Sequence, residues 1–150
     1  MINIYTDGAT SHNGKENAIG GYAFVVEENG EELYSTYGKI YPATNNICEL
    51  TALIEACEYI DKNLHGQQVT VYSDSAYCIN CYKEKWYENW KRNGWKTSSK
   101  KPVANQELWK KLIPYFYSSK IKFEKCDGHS GNQWNDYADH LAVKARGGTW

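Results

Sequence analysis

The chain predicts an α/β fold built on a mixed five-stranded sheet with helices on both faces, and three observations carry that expectation. Two separate runs alternate with a period of two, Ile2-Asn3-Ile4-Tyr5-Thr6 and Val69-Thr70-Val71-Tyr72-Ser73, and each leads into an aspartate, Asp7 and Asp74. Asn29-Gly30 lies between two strand-like stretches and marks a tight hairpin, because both residues accept positive φ. A stripe of Ile47, Leu50, Leu53, Ile54, Cys57, Ile60 and Leu64 then repeats at helical spacing between the hairpin and the second aspartate strand.

Taken in order, the first strand ends at Asp7-Gly8, with the carboxylate at its tip. A polar loop containing Asn13-Gly14 leads to a second strand over Ile19 to Glu27 and a third over Leu33 to Tyr41, which Pro42 ends. Asn45 or Asn46 is placed to cap the helix that follows, which puts Glu49 in its first turn beside the apolar stripe. After the strand ending at Asp74, Ser75 caps a short helix from Ala76 to about Tyr82. Trp86 to Trp90 form one or two helical turns, Gly94 is a break, and Lys96 to Pro102 is a polar loop. Asn105 caps a helix through Leu108, Trp109, Leu112 and Ile113, which Pro114 should end or kink. Lys120 to Cys126 reads as a strand. A loop with Gly128 and Gly131 then enters a last helix through Trp134, Tyr137, Ala138, Leu141, Ala142 and Ala145, with Asp139 near its stripe. The hairpin makes the first three strands antiparallel, and helical crossovers make the later strands parallel to the first.

At 150 residues and 41% hydrophobic content the chain is expected to form a single domain over 1–150, with a basic helical insert at about 83–103. No long apolar run and no basic, apolar leader are present, so neither membrane nor export is indicated and a cytosolic setting is expected. Five cysteines in apolar or helical patterns suit buried reduced thiols better than a disulfide frame. The net charge of −1 hides an asymmetry: Lys83 to Lys111 hold nine basic residues against three acids, a local +6 that leaves −7 elsewhere. Trp86, Tyr87, Trp90, Trp95 and Trp109 interleave with those cations. That mixture points to a phosphate-backbone footprint on a packed element, beside the plainer reading that the tryptophans form a local core.

If the two aspartate strands lie side by side and parallel, Asp7 and Asp74 meet at one sheet edge, where open α/β sheets bind ligands. Anions that close repel and need a cation, so a hard divalent metal site is expected. Glu49 and Asp139 are placed to join them. Thr6-Asp7-Gly8, Thr44-Asn45-Asn46-Ile47-Cys48-Glu49-Leu50, Ser73-Asp74-Ser75, and Gly128-His129-Ser130-Gly131 ten residues before Asp139, together resemble type 1 ribonuclease H. The resemblance covers nearly the whole chain. It includes Trp86 to Thr97 and Lys100-Lys101-Pro102-Val103, similar to that family's basic protrusion.

The resemblance implies the ribonuclease H-like fold and an endonuclease that hydrolyses the RNA strand of an RNA–DNA hybrid, leaving 3′-hydroxyl and 5′-phosphate ends. It implies two Mg²⁺ ions, with Mn²⁺ able to substitute, held by Asp7, Glu49, Asp74 and Asp139. Two metals about 3.5–4 Å apart stabilise both the attacking and the leaving oxygen of an in-line displacement. By resemblance Asp7 bridges both ions, Asp139 holds the one activating water, and Glu49 with Asp74 holds the other. His129 is then the proton carrier near the leaving group. Gly8, Asn13, Thr44, Asn45 and Asn46 correspond to positions that read the strands and hold phosphates, with Ser75 and Asn135 touching substrate beside the metals. Trp86, Lys91, Arg92, Trp95, Lys96 and Lys100 supply the basic footprint. No protein partner is implied, and a monomer is expected.

Two rival readings remain at this stage. A non-catalytic nucleic-acid-binding module of the same fold predicts gaps in the acid set, and none is seen. A redox protein built on Cys78 and Cys81 leaves four placed acids and a basic, Trp-rich insert without purpose.

Overall fold

The computed structural model describes residues 1–11, 18–97, 99–126 and 132–147. The elements are β1 (Ile2–Thr10), β2 (Gly20–Glu28), β3 (Glu31–Ile40), α1 (Asn45–Asn63), β4 (Val69–Ser73), α2 (Ala76–Glu84), α3 (Trp86–Asn93), α4 (Gln106–Phe116), β5 (Ile121–Lys125) and α5 (Gln133–Ala145). The sheet order is β3-β2-β1-β4-β5. β1, β2 and β3 are antiparallel, and β4 and β5 run parallel to β1. The mixed five-stranded sheet expected from the sequence is therefore present.

Strand alternation divides the core into two layers. Ile2, Ile4, Phe24, Val26, Val71 and Phe123 turn to one face and are covered by α1, α2 and α4. Tyr5, Ala23 and Val25 turn to the other and are covered by α5 through Ala138, Leu141 and Ala142. A β-carbon on Gly21 would strike the α5 backbone at Ala142, so glycine there is what lets this helix lie on the sheet. Each layer thus brings one helix against β1.

Five local expectations need correction. β1 does not end at Asp7. It continues to Thr10 because β2 keeps pairing with it, Asp7 opposite Ala23 and Thr10 opposite Gly20, whereas pairing with β4 stops at Tyr5 opposite Tyr72. The α1 cap is Thr44, whose side chain accepts from the Ile47 N–H at 3.1 Å, and not Asn45 or Asn46. With α1 starting at Asn45, Glu49 falls in the second turn and no acid occupies the first. Asn105 sits at φ 61° and makes no side-chain cap, and α4 runs past Pro114 to Phe116. Burial of Leu112, Ile113 and Phe116 carries that last turn despite the donor that Pro114 removes.

The hairpin agrees with its sequence signal. Asn29 and Gly30 adopt φ of 54° and 83°.

Candidate metal centre and nucleic-acid interface

The site is assembled where β1 and β4 part. Beyond Tyr5 and Tyr72 the two strands no longer pair, and Asp74 follows directly on β4. Asp7 points to the α5 side of the sheet by strand alternation and is only 4% exposed. Its neighbour Gly8 lies against α1: a β-carbon there would come within 2.6 Å of the Cys48 carbonyl carbon and 2.7 Å of the Glu49 nitrogen. That contact seats the second turn of α1 on β1 and brings Glu49 to Asp7. Gly8 serves helix packing here as well as any approach of ligand.

One ligand oxygen each from Asp7, Glu49 and Asp74 lies within 4.8 Å of the others. Asp139, on α5, reaches Asp7 from the opposite layer at hydrogen-bonding distance. All four sequence-selected acids therefore converge, three in one group and the fourth against Asp7.

The electrostatics of this group are unfavourable. Burial pushes the Asp7 carboxyl up to about 9, the Asp74 and Asp139 carboxylates add to the shift, and the Gly8 N–H opposes it by donating to Oδ1 at 2.9 Å. Burial also raises Glu49 well above the usual carboxylate range, reinforced by Asp7 and Asp74. Among the described residues no cation is among the leading influences on Asp7 or Glu49, and the buried Oε1 of Glu49 has no hydrogen-bond partner. An all-oxygen donor set with an orphaned buried acceptor fits Mg²⁺ and similar hard cations, which prefer carboxylate and water ligands. Nothing in the donor set suits a softer metal.

The other selected residues divide. Thr44, Asn45 and Asn46 are exposed at the start of α1, on the same helix as Glu49. Ser75 is half-buried and engaged as the α2 cap, accepting from the Cys78 N–H at 3.2 Å. Asn135 is 2% exposed and its side-chain oxygen accepts from the Cys126 thiol at 3.1 Å. It braces the floor of the site from within α5. Asn13 and His129 lie outside the described residues.

Two contributors carry no sequence signal. Thr10 Oγ1 donates to Asn45 Oδ1 at 2.5 Å, tying the end of β1 to the start of α1. Arg146, just past α5, donates to the Thr10 carbonyl at 2.5 Å across 136 positions of chain. Only tertiary placement reveals such a brace.

The basic segment is a folded face. Trp109 is fully buried, its indole N–H donating to Tyr77 at 3.1 Å, and Trp86, Trp90 and Trp95 pack on that core with one side partly open. The plainer reading of the tryptophans, a local core, is therefore present. Trp86, Trp90, Asn89, Arg92, Asn93 and Lys96 line an open cleft of about 630 Å³. Lys91 does not line it; its ammonium bonds the Tyr117 hydroxyl at 2.9 Å and lies 4.5 Å from that ring's centre. Lys100 is exposed on the following turn at φ 65°, and Thr97 N–H to Lys101 carbonyl, 2.7 Å, closes that turn.

Cys78 and Cys81 are buried on α2, and burial pushes both thiols up to about 12. Thiols so far from ionisation are poor nucleophiles, which removes the basis of the redox reading. No helix among the described residues is long and apolar enough to cross a membrane.

Comparison with known proteins agrees with this geometry. A ribonuclease H of Clostridium botulinum strain Hall is 45% identical over 142 residues, spanning 95% of this chain and 93% of the relative. One from Syntrophomonas wolfei is 46% identical over 144 residues, spanning 96% and 94%. Among solved structures, LC9-RNase H1, described as a type 1 RNase H with the type 2 active-site motif, superposes with a TM-score of 0.81 at 27% identity. It spans 99% of this chain and 73% of that one. LC11-RNase H1, solved with an RNA/DNA hybrid, shares the fold at a TM-score of 0.63 and 21% identity, spanning 98% and 97%. The RNase H family model matches residues 1–146, and with the relatives above it establishes that this chain belongs to the ribonuclease H family.

Proposed function

We propose that the chain hydrolyses the RNA strand of RNA–DNA hybrids with two bound Mg²⁺ ions, leaving 3′-hydroxyl and 5′-phosphate ends. The observation that carries this reading is the group of buried Asp7 with half-buried Glu49 and Asp74, and Asp139 against Asp7, in a chain that also carries a cationic, aromatic protrusion. Asp7, Glu49 and Asp74 would hold one ion, and Asp7 with Asp139 the other. When bound, such ions stabilise charge on the attacking and leaving oxygens and lower the pKa of water. Mn²⁺ is accommodated by the same oxygen donors.

The protein's own groups do the rest. Thr44, Asn45 and Asn46 lie exposed next to the acids and would touch the hybrid's backbone and the RNA 2′-hydroxyl. Asn13, and Ser75 at the start of α2, would add contacts. Trp86, Arg92, Lys96 and Lys100, with Lys91 and Trp95 behind them, would hold phosphates of the DNA strand away from the cut. His129 would carry the proton to the leaving oxygen. We take 1–150 as one functional unit with its protrusion at about 83–103, complete for catalysis in a single copy because all four acids come from one chain. Five free thiols suit a reducing compartment, the cytosol.

The test is cleavage of labelled hybrid, RNA duplex and DNA duplex, with and without Mg²⁺. Cutting confined to the RNA of the hybrid and dependent on the ion is expected. Metal-independent cutting, or equal cutting of all three, would overturn the reading; binding without cutting would favour the non-catalytic module.

A further inference from the structure

We infer that Arg146 and Thr10 form a latch that holds the Asn45 side chain in the pose that reads the RNA strand, which makes both of them positioning residues that set specificity. The inference rests on the proposed contact of Asn45 with the hybrid and adds what fixes that contact. Asn45 is the first residue of α1 and is exposed. A short amide side chain in such a place turns freely unless something holds it. Ordering it only on binding costs affinity, so holding it beforehand gains about three- to tenfold.

The end of β1, the start of α1 and the end of α5 meet at Thr10. β1 stops there opposite Gly20, the first residue of β2. The lead-in to α1 is tied to the same corner, where the Ala43 N–H donates to the Ala18 carbonyl at 3.0 Å. The end of α5 is seated beside it, since a β-carbon on Gly21 would lie 2.8 Å from the Arg146 nitrogen. Side chains close the remaining gap. Thr10 Oγ1 donates to Asn45 Oδ1 and Arg146 Nη1 donates to the Thr10 carbonyl, both at 2.5 Å. Stability does not account for the guanidinium: its Nε is buried without a hydrogen-bond partner among the described residues, and a buried donor left unpaired costs free energy. What it does there is hold Thr10, the residue that holds Asn45.

Binding of labelled RNA–DNA hybrid and of DNA duplex in Ca²⁺, read by fluorescence anisotropy, tests the latch. Thr10→Val removes the hydroxyl and keeps a β-branched residue in the strand. It should weaken hybrid binding about three- to tenfold and leave DNA duplex binding within about twofold, so that discrimination narrows. In Mg²⁺ the same loss should appear in KM, with kcat nearly unchanged. Thr10→Ser restores the hydroxyl and should recover most of the hybrid affinity. Arg146→Met should weaken the hybrid similarly without changing the salt slope, whereas loss of a cation that touches phosphate would lower its magnitude by about 1. In an Asn45→Ala background neither change should weaken binding further. Circular dichroism and melting confirm that each variant folds, and the Thr10 pair decides the matter should Arg146→Met fail to. Equal loss on both duplexes, a lowered salt slope in Arg146→Met, Thr10→Ser as weak as Thr10→Val, or losses that add to that of Asn45→Ala would each overturn the latch. Should Asn45→Ala weaken hybrid binding and Thr10→Val not, the latch alone falls; should Asn45→Ala itself bind the hybrid normally, the proposed contact of Asn45 falls and the latch with it.

Discussion

The acid group and the basic protrusion are opposite solutions to holding charge. At the end of β1, carboxylates are packed together with Asp7 buried and Glu49 and Asp74 half-buried, and their spacing is held by backbone contacts such as Gly8 against α1. Along α3 the exposed cations sit on an aromatic base, Lys91 held by Tyr117 and Arg92 by Asn89, and each is individually cheap. Function is bought with stability only in the first case. Changes in the acid group should therefore act steeply on chemistry and on folding in opposite directions, whereas changes in the protrusion should act gradually on binding alone.

The largest expected effect is on Asp7. Asp7→Asn should lower hybrid cleavage by on the order of a thousandfold or more while preserving hybrid binding in Ca²⁺. The same variant should raise the metal-free unfolding free energy by roughly 1–3 kcal/mol near pH 8, read from urea melts in EDTA. Loss of activity together with loss of stability would mean the carboxylate is a fold element, not a stored strain.

Next in size, Gly8→Val should cost about 2–4 kcal/mol, because its side chain meets α1 backbone that cannot swing aside. Cleavage should fall with it, and higher Mg²⁺ should not restore it. A variant of normal stability would show that α1 yields, and with it the seating of Glu49.

The pH dependence comes third. Asp7 holds its proton up to about 9 in the folded chain and releases it near 3.8 when unfolded, and Glu49 shifts the same way. The unfolded state therefore binds fewer protons, so metal-free stability falls as pH rises between about 4 and 9. Melts at pH 5, 7 and 9 in EDTA should show this decline. Asp7→Asn or saturating Mg²⁺ should flatten it, and an equal slope in the variant would remove Asp7 as its source.

Smaller again is the protrusion. Neutralising Lys91, Arg92, Lys96 and Lys100 to Gln should weaken hybrid binding and lower the magnitude of its salt slope by about 2–4, with kcat nearly unchanged. An unchanged slope would detach this face from the substrate. Smallest of all is Cys78→Ala/Cys81→Ala, which should leave cleavage intact and cost about 1–2 kcal/mol for the thinned core. Abolished cleavage in that variant would revive a thiol role.

How far the chain could be read in advance follows the same division. Features set by near neighbours were legible: the Asn29-Gly30 turn, the α1 stripe, and two alternating runs that each lead to an aspartate. What failed was set by partners distant in sequence. β1 outruns Asp7 because β2 continues beside it, and α4 outlasts Pro114 because its last turn is buried. The bond from Cys126 to Asn135, and the Arg146–Thr10–Asn45 brace that joins both ends of the chain, have no signal in the sequence. The four acids were found by motif order, yet their spacing depends on contacts that no motif displays.

The close seating at Gly8 has a consequence for transplanting this centre. Grafting the four acids alone onto another scaffold would reproduce a donor list without its ruler. With 2.6 Å between a hypothetical β-carbon and the Cys48 carbonyl carbon, helix and strand are at their hard limit. That mechanical stop, a missing methyl group one residue from the acid, calibrates how far apart the carboxylates stand.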